Sequence, residues 1–186
     1  MSIEEVIRRE QNRYVSFFAG ARAALQKENP NIQSEVLITL KNEEAPYPYR
    51  YMRPDAMSRN DEGKMAFSML HQGADPDFET SRYDCGTFRL DIHPFAWSDV
   101  QLIFDKPLTD LRELDDWITR WLDVNDSGAH EHNGLSGAVH GFSPVEQQGP
   151  LWILMGDMGT APAEALIELL SLLGKHGMSH VVLAGD

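Results

Sequence analysis

The sequence predicts an α+β fold in which helices pack on a mixed sheet of about six or seven strands. Three observations lead to this prediction: an amphipathic helical pattern opens the chain, short β-rich runs fill its middle, and a strand–helix–strand pattern occupies its carboxyl end. The 186 residues suit a single domain, and no repeat or linker divides them. We therefore expect one α+β domain over residues 1–186.

The first predicted element is a helix over residues 2–28. Its apolar residues recur at intervals of three and four, which is typical of a helix with one buried face. Ser2 and Glu5 have the spacing of a capping box, so they indicate where the helix begins. Asn29 and Pro30 end it, because a proline disfavours helical geometry in the residue before it.

Apolar and β-branched runs follow this helix, and turn-forming residues separate them. Residues 60–64 have the composition of a turn, and residues 72–85 are polar enough to predict a long loop. Alternation of polar and apolar side chains is clearest after this loop and indicates a half-buried strand. The strands predicted in this part of the chain are 35–41, 65–70, 86–93 and 98–104.

A second amphipathic helix is predicted over 109–123, followed by a polar loop over 124–134 and a strand over 135–145. The carboxyl end then contains three elements with short connections: a strand over 151–155, a helix over 161–176 and a strand over 179–184. Such a pattern predicts a βαβ unit with parallel strands and a right-handed crossover.

The net charge of −13 is distributed unevenly along the chain. Residues 101–186 hold 13 of the 29 acidic residues but only 4 of the 16 lysines and arginines. A surface this negative repels nucleic-acid phosphates and anionic lipid headgroups, whereas it attracts basic proteins and cations. We therefore expect no nucleic acid or membrane partner, and a basic protein is the favoured one. A simple role in solubility also explains the acidity.

The compartment is predicted from three absences in the sequence. No apolar run reaches the roughly 18 residues that span a bilayer. The acidic start of the chain lacks the basic residues and apolar stretch of a secretory signal. Cys85 is the single cysteine, so no internal disulfide requires an oxidising compartment. These features predict a cytoplasmic protein.

A run of tyrosine and arginine residues is the best candidate for a partner-binding surface. Both residue types are enriched where binding energy concentrates in protein interfaces. An extended chain would place the three tyrosines on one side, and the prolines within the run restrict it to an edge strand or a loop. The alternative is an edge strand whose tyrosines cover the core. The candidate residues are Tyr47, Tyr49, Arg50, Tyr51 and Arg53.

Four residues are candidate ligands for a divalent metal: His130, His132, His140 and Asp157. Imidazole and carboxylate groups are common metal ligands, and the spacing of His130 and His132 directs both rings to one side of an extended segment. The alternative interpretation is a solvated loop whose histidines bind nothing.

Asp157 follows a predicted strand, at the edge of the sheet where ligands gather in α/β proteins. Asp186 follows the last predicted strand and would be a second cation ligand beside it. The alternative is that the glycines around Asp157 form a tight turn and Thr160 caps the next helix.

The signatures of several enzyme classes are absent from the sequence. It contains no GxSxG, HExxH, CxxC or glycine-rich phosphate-binding motif. We therefore predict a non-catalytic protein-binding module without a cofactor, which acts on a basic partner as inhibitor and immunity proteins do. The alternative is a metal-dependent hydrolase that uses the His130/His132 loop and Asp157. Flexible glycines in that loop lead us to expect that these three side chains do not form a preorganised ligand set.

Overall fold

The computed structural model describes residues 1–41, 44–73 and 75–185. Asp186, considered above as a cation ligand, lies outside them. Three helices and eleven strands occur within the described residues, in this order along the chain: α1 (Ile3–Glu28), β1 (Ile38–Thr39), β2 (Tyr51–Met52), β3 (Ala56–Arg59), β4 (Met65–Ser68), β5 (Ser81–Asp84), β6 (Arg89–Ile92), β7 (Val100–Phe104), α2 (Arg112–Trp121), β8 (Gly141–Phe142), β9 (Glu146–Gln148), β10 (Leu151–Asp157), α3 (Ala163–Lys175) and β11 (His180–Ala184).

Seven strands form the main sheet, and they run in a mixed pattern. The order across the sheet is β5-β6-β11-β7-β10-β8, and β9 pairs with β10 on the same side as β8. Strands β6 and β11 are parallel, whereas the other neighbours in the sheet are antiparallel. With three helices packed on a mixed sheet, the predicted α+β class is confirmed.

The two strands of the predicted βαβ unit at the carboxyl end run parallel, as expected, but they are not neighbours in the sheet. Strands β10 and β11 are both antiparallel to β7, so they run the same way in one sheet and α3 connects them. However, β7 lies between them, and the parallel neighbour of β11 is β6. The buried side chains of β7, Val100, Leu102 and Phe104, explain its central position, because a central strand is covered by the core.

Two small hairpins lie outside the main sheet and help to build the candidate site. Strand β1 pairs with β2, and β3 pairs with β4, both in antiparallel fashion. Strand β2 also contacts β8, where Met52 lies against Gly141. This contact brings the chain that follows β2 next to the end of β10.

Three predicted elements differ in the structure. The strand predicted over 35–41 is reduced to β1, because Glu35 has a φ of 56°, outside the β region. The strand predicted over 135–145 is reduced to β8, because the amides before it bond elsewhere; that of Val139, for example, donates to the carbonyl of Trp121. The loop predicted over 72–85 contains β5, which pairs with β6.

The helices agree with their predictions apart from their ends. The capping box of α1 is present: the Ser2 hydroxyl accepts from the Glu5 amide, and the Glu5 carboxylate accepts from the Ser2 amide. Helices α1 and α2 each pack on α3, and the Trp117 indole donates to the carbonyl of Ala165 at 3.1 Å. Among the described residues, no helix has the length and apolar character needed to cross a membrane.

Candidate functional site

A buried histidine, His140, lies among three carboxylates that come from distant parts of the chain. The imidazole is 2% exposed. Its Nδ1 lies 2.8 Å from Oδ1 of Asp55, before β3, and 3.7 Å from Oδ2 of Asp157, at the end of β10. Its Nε2 lies 3.0 Å from Oε1 of Glu35, between α1 and β1. We call these four residues the His140 cluster.

Backbone hydrogen bonds hold the segments of the cluster together. The His140 amide donates to the Asp157 carbonyl at 2.9 Å, and the Arg53 amide donates to the His140 carbonyl at 2.8 Å. The Glu35 amide donates to the Pro54 carbonyl at 3.0 Å. The main chain therefore fixes the relative positions of the segments that carry these side chains.

The turn after β10 requires a glycine because of the imidazole. Gly159 has a φ of 53°, and a Cβ at this position would come within 2.1 Å of Cδ2 of His140. The glycine therefore permits both the left-handed turn and the close approach of the ring. The prediction that Thr160 caps α3 is wrong, because Pro162 occupies the N-cap position. Thr160 turns inward instead, and its hydroxyl donates to Glu35.

Glu35 is held by several hydrogen bonds besides that of His140. Its carboxylate accepts from the Ser136 amide at 3.0 Å, the Ser136 hydroxyl at 2.6 Å and the Thr160 hydroxyl. A non-glycine residue with positive φ costs on the order of 1–3 kcal/mol and persists only where the surroundings over-determine it. The hydrogen bonds to Glu35 account for this conformation, which marks the segment as one under constraint.

Arg53 connects the cluster to the loop that follows α2. Its side chain is 4% exposed, and its guanidinium donates to the carbonyls of Leu122, Glu35 and Asp123 at 2.7–2.9 Å. It also donates to Asp126 Oδ1 at 2.9 Å. These bonds use the fork of donors that arginine offers, so Arg53 has a structural role.

Charge keeps the imidazole of His140 protonated. Burial by itself would lower its pKa, but the charges and hydrogen bonds of Asp157, Asp55 and Glu35 raise the pKa well above its usual range. Burial would likewise raise the pKa of Glu35, but His140, together with two hydroxyl groups, lowers that pKa to about 2. Both ring nitrogens thus donate to carboxylates, and the cluster contains a buried cation.

Two buried oxygens make no hydrogen bond within the described part of the chain: the Tyr14 hydroxyl and Oδ2 of Asp157, which has the ionic contact with Nδ1 of His140 instead. Tyr14 is 1% exposed. Burial raises the pKa of its hydroxyl, and the negative charges of Asp157, Asp55 and Glu35 raise that pKa further. Burial also raises the pKa of Asp157 against the opposing effect of His140.

The histidine loop lies apart from this cluster. The ring of His130 stacks on Trp121 with centroids 4.5 Å apart, and His132 is exposed while its backbone bonds with Leu135. Of the four candidate ligands, the structure brings together His140 and Asp157 and leaves His130 and His132 outside. In the described ranges, metal-ligating atoms of three residues lie within 4.8 Å of one another. These residues are Asp55, His140 and Asp157.

The tyrosine and arginine run is divided between core and surface. Residues 47–50 form a turn, so the three tyrosines do not line one side of an extended strand. Tyr49 is buried like Arg53, and Arg50 is half-buried. Tyr47 is 48% exposed, and its ring contacts that of Tyr51 edge to face at 5.6 Å. A partner would therefore meet Tyr47 and part of Tyr51 rather than the whole run.

A polar cleft of about 390 Å³ opens beside the cluster. Its ionisable lining consists of four acidic residues and Arg53, whose guanidinium is already bonded inside the protein. Asp126 is exposed over 68% of its side chain, and Glu131 is exposed. The lining residues are Ser34, Glu35, Arg53, Asp123, Asp126, Ser127, Gly128, Glu131, Gly134, Leu135 and Ser136.

Sequence reasoning identified His140 and Asp157 but missed Glu35, Asp55 and Tyr14. Glu35 begins an apolar run and Tyr14 lies on the apolar face of α1, so both matched ordinary strand and helix patterns. Asp55 follows Pro54 within a polar segment and belongs to no motif. Only the tertiary fold brings these residues to one point.

Comparison with known proteins found no matching family model, no matching curated protein and no matching solved structure.

Proposed function

We propose that this protein is a non-catalytic binding module that recognises a basic segment of a partner protein. The observation that carries the proposal is the polar cleft, whose exposed carboxylates are Glu131 and Asp126, the latter also paired with Arg53. These two side chains present negative charge to an incoming lysine or arginine. Carboxylates bind guanidinium and ammonium groups by charge-assisted hydrogen bonds.

The helix next to the cleft supports the same proposal. Along α2 the basic residues have partners within the protein: Arg112 pairs with Asp110 at 2.5 Å and Arg120 pairs with Glu168 at 2.5 Å. Asp116, on the same helix, is exposed. The exposed carboxylates of α2 and of the cleft both attract a basic partner during its approach.

The remaining partner and compartment predictions belong to this proposal. An acidic surface disfavours nucleic acid and anionic membranes. With Cys85 as the single cysteine, the proposed site of action remains the cytoplasm. Tyr47 is an exposed aromatic side chain that a partner could contact.

A metal-dependent hydrolase at the His130/His132 loop has less support. A hydrolytic metal site needs several ligands and an open coordination position that a substrate reaches. His130 is stacked on Trp121, and His140 is buried. We therefore retain the binding module as the function that the geometry favours.

A charge-matched pair of variants tests the proposal. The probe is a short fluorescent peptide of alternating lysine and arginine, with a glutamine peptide of the same length for comparison. Asp126→Asn with Glu131→Gln removes two carboxylates from the cleft, and Asp61→Asn with Glu62→Gln removes two exposed carboxylates from the β3–β4 turn. We expect the cleft variant to bind about three- to tenfold more weakly and the turn variant to bind like the unaltered protein.

The salt dependence completes this experiment. Binding of the basic peptide should weaken as the salt concentration rises, because the contacts are electrostatic. Equal binding of the two peptides, or equal loss in the two double variants, would contradict recognition in the cleft.

A further inference from the structure

We propose that Asp55, His140 and Asp157 form a buried binding site for Zn²⁺, in which the metal takes the place of the proton on Nδ1 of His140. The site is separate from the acidic cleft, so the proposal does not rest on the binding function. Its ligand atoms already lie within 4.8 Å of one another.

The distances around Nδ1 match those of a metal centre to within a small movement. Ligand bonds of about 2.0–2.2 Å in a tetrahedron put neighbouring ligand atoms about 3.4 Å apart. The distances from Nδ1 to Asp55 Oδ1 and Asp157 Oδ2 are 2.8 and 3.7 Å, on either side of that value. Shifts of about half an ångström would bring each carboxylate oxygen to this distance from Nδ1.

The other side of the imidazole has the support that a metal-bound histidine needs. Metal ligation through one ring nitrogen is strengthened when the other donates to a carboxylate, because this fixes the orientation of the ring. Nε2 of His140 lies 3.0 Å from Glu35, and Glu35 is itself held by Ser136 and Thr160. This arrangement directs Nδ1 toward Asp55 and Asp157.

Two buried oxygens lack a hydrogen bond in this part of the protein. Buried polar atoms in folded proteins nearly always have a partner. Within residues 1–41, 44–73 and 75–185, the Tyr14 hydroxyl makes no hydrogen bond, and Oδ2 of Asp157 has the ionic contact with Nδ1 of His140 at 3.7 Å in place of one. In the metal-bound form, Asp157 Oδ2 ligates the ion.

When Zn²⁺ binds, it replaces the proton on Nδ1 of His140. The His140 imidazolium loses its Nδ1 proton to solvent, the nitrogen lone pair forms a bond to Zn²⁺, and Nε2 keeps its proton on Glu35. A charge of +2 replaces +1 among three carboxylates, so the buried negative charge is better compensated. One nitrogen and two carboxylate oxygens in a small site suit Zn²⁺, whereas Ca²⁺ requires six to eight oxygen ligands and Mg²⁺ retains several waters.

The burial of Asp55 and His140 limits the access of a substrate to the bound ion. Asp55 and His140 are each exposed by 2% or less. A catalytic zinc keeps one position open to substrate, but a structural zinc is enclosed by its ligands and stabilises the fold. We therefore expect bound Zn²⁺ to raise the melting temperature without conferring hydrolysis.

Zinc titration of the full chain, stripped of metal with a chelator, tests the site. In competition with a chromophoric zinc indicator, we expect one saturable site per chain and a higher melting temperature, while millimolar Mg²⁺ or Ca²⁺ has no effect. Asp157→Asn should weaken Zn²⁺ binding by more than about tenfold, and Tyr14→Phe should weaken it less. Cobalt in the same site should produce the visible bands of tetrahedral coordination.

Asp91→Asn is the matched control, because Asp91 is also a buried carboxylate that bonds to a histidine, His180, at 3.0 Å. It should bind Zn²⁺ like the unaltered protein. If the Asp157 variant does not fold, nitrogen-15 NMR of the unaltered protein decides: zinc must remove the Nδ1 proton of His140 and leave that on Nε2. An unchanged Nδ1, no saturable binding, or equal affinity in Asp157→Asn and Asp91→Asn would overturn the proposal.

Discussion

The two histidine-bearing regions of this protein differ in what the chain does around them. The His130/His132 loop has a histidine pair in a short motif, yet one ring stacks on Trp121 and the other is exposed. His140 stands alone in the sequence, yet three distant segments converge on it with carboxylates. Spacing along the chain thus indicated the wrong neighbours, because a site is formed by tertiary contacts rather than by sequence proximity.

The largest expected difference between the regions concerns removal of one imidazole. His140→Gln removes a buried cation and leaves three carboxylates together, which should lower the free energy of unfolding by about 3–5 kcal/mol. His132→Gln changes an exposed residue and should alter it by less than about 0.5 kcal/mol. Urea denaturation of both variants measures the difference. Similar stability of the two variants would show that the cluster does not hold the fold together.

Acid should destabilise the cluster in a defined pH window. The pKa of Glu35 falls from an ordinary value of 4.5 to about 2, so its contribution is complete above pH 4.5 and is lost as the pH falls toward 2. This contribution is about 3 kcal/mol, and it depends on the charge of His140 and on the hydrogen bonds from Ser136 and Thr160.

Urea denaturation between about pH 5 and pH 2.5 compares Glu35→Gln with Glu131→Gln. The Glu35 variant should lose this part of the acid dependence, whereas the Glu131 variant, altered at the rim of the cleft, should retain it. An identical pH dependence in both variants would contradict the role of Glu35.

Alanine substitutions at two glycines with similar backbone conformations distinguish the cost of backbone strain from the cost of a steric clash. Gly159 and Gly149 have φ values of 53° and 60°, but a Cβ would meet the His140 ring only at Gly159, since nothing lies within 4 Å of it at Gly149. Gly159→Ala should therefore cost about 1–3 kcal/mol more than Gly149→Ala in thermal or urea denaturation. Equal losses would mean that the imidazole is not packed against the turn.

The smallest expected effect on stability comes from removing the ring of His130, which stacks on Trp121. His130→Ala removes the contact with Trp121 and should cost about 0.5–1 kcal/mol. It should leave zinc affinity unchanged, as measured by indicator competition. A loss of zinc binding comparable to that of Asp157→Asn would indicate that the metal binds in the His130/His132 loop instead.

Features that depend on local interactions could be predicted from the sequence, whereas features that depend on long-range contacts could not. Helix α1 was predicted from its periodicity and from Ser2 and Glu5, because these signals are local. The direction of β10 and β11 was also predictable, but the insertion of β7 between them was not, since strand order depends on non-local packing. Glu35 could not be recognised because its positive φ results from hydrogen bonds to residues about a hundred positions away.

The protonation state of His140 tests the central claim most directly. Nitrogen-15 NMR of the metal-free protein at about pH 8, above the ordinary pKa of an imidazole, reports each ring nitrogen separately. A buried cation between carboxylates predicts that Nδ1 and Nε2 both carry protons and that these exchange slowly with solvent. A neutral ring with one unprotonated nitrogen at this pH would contradict the claim.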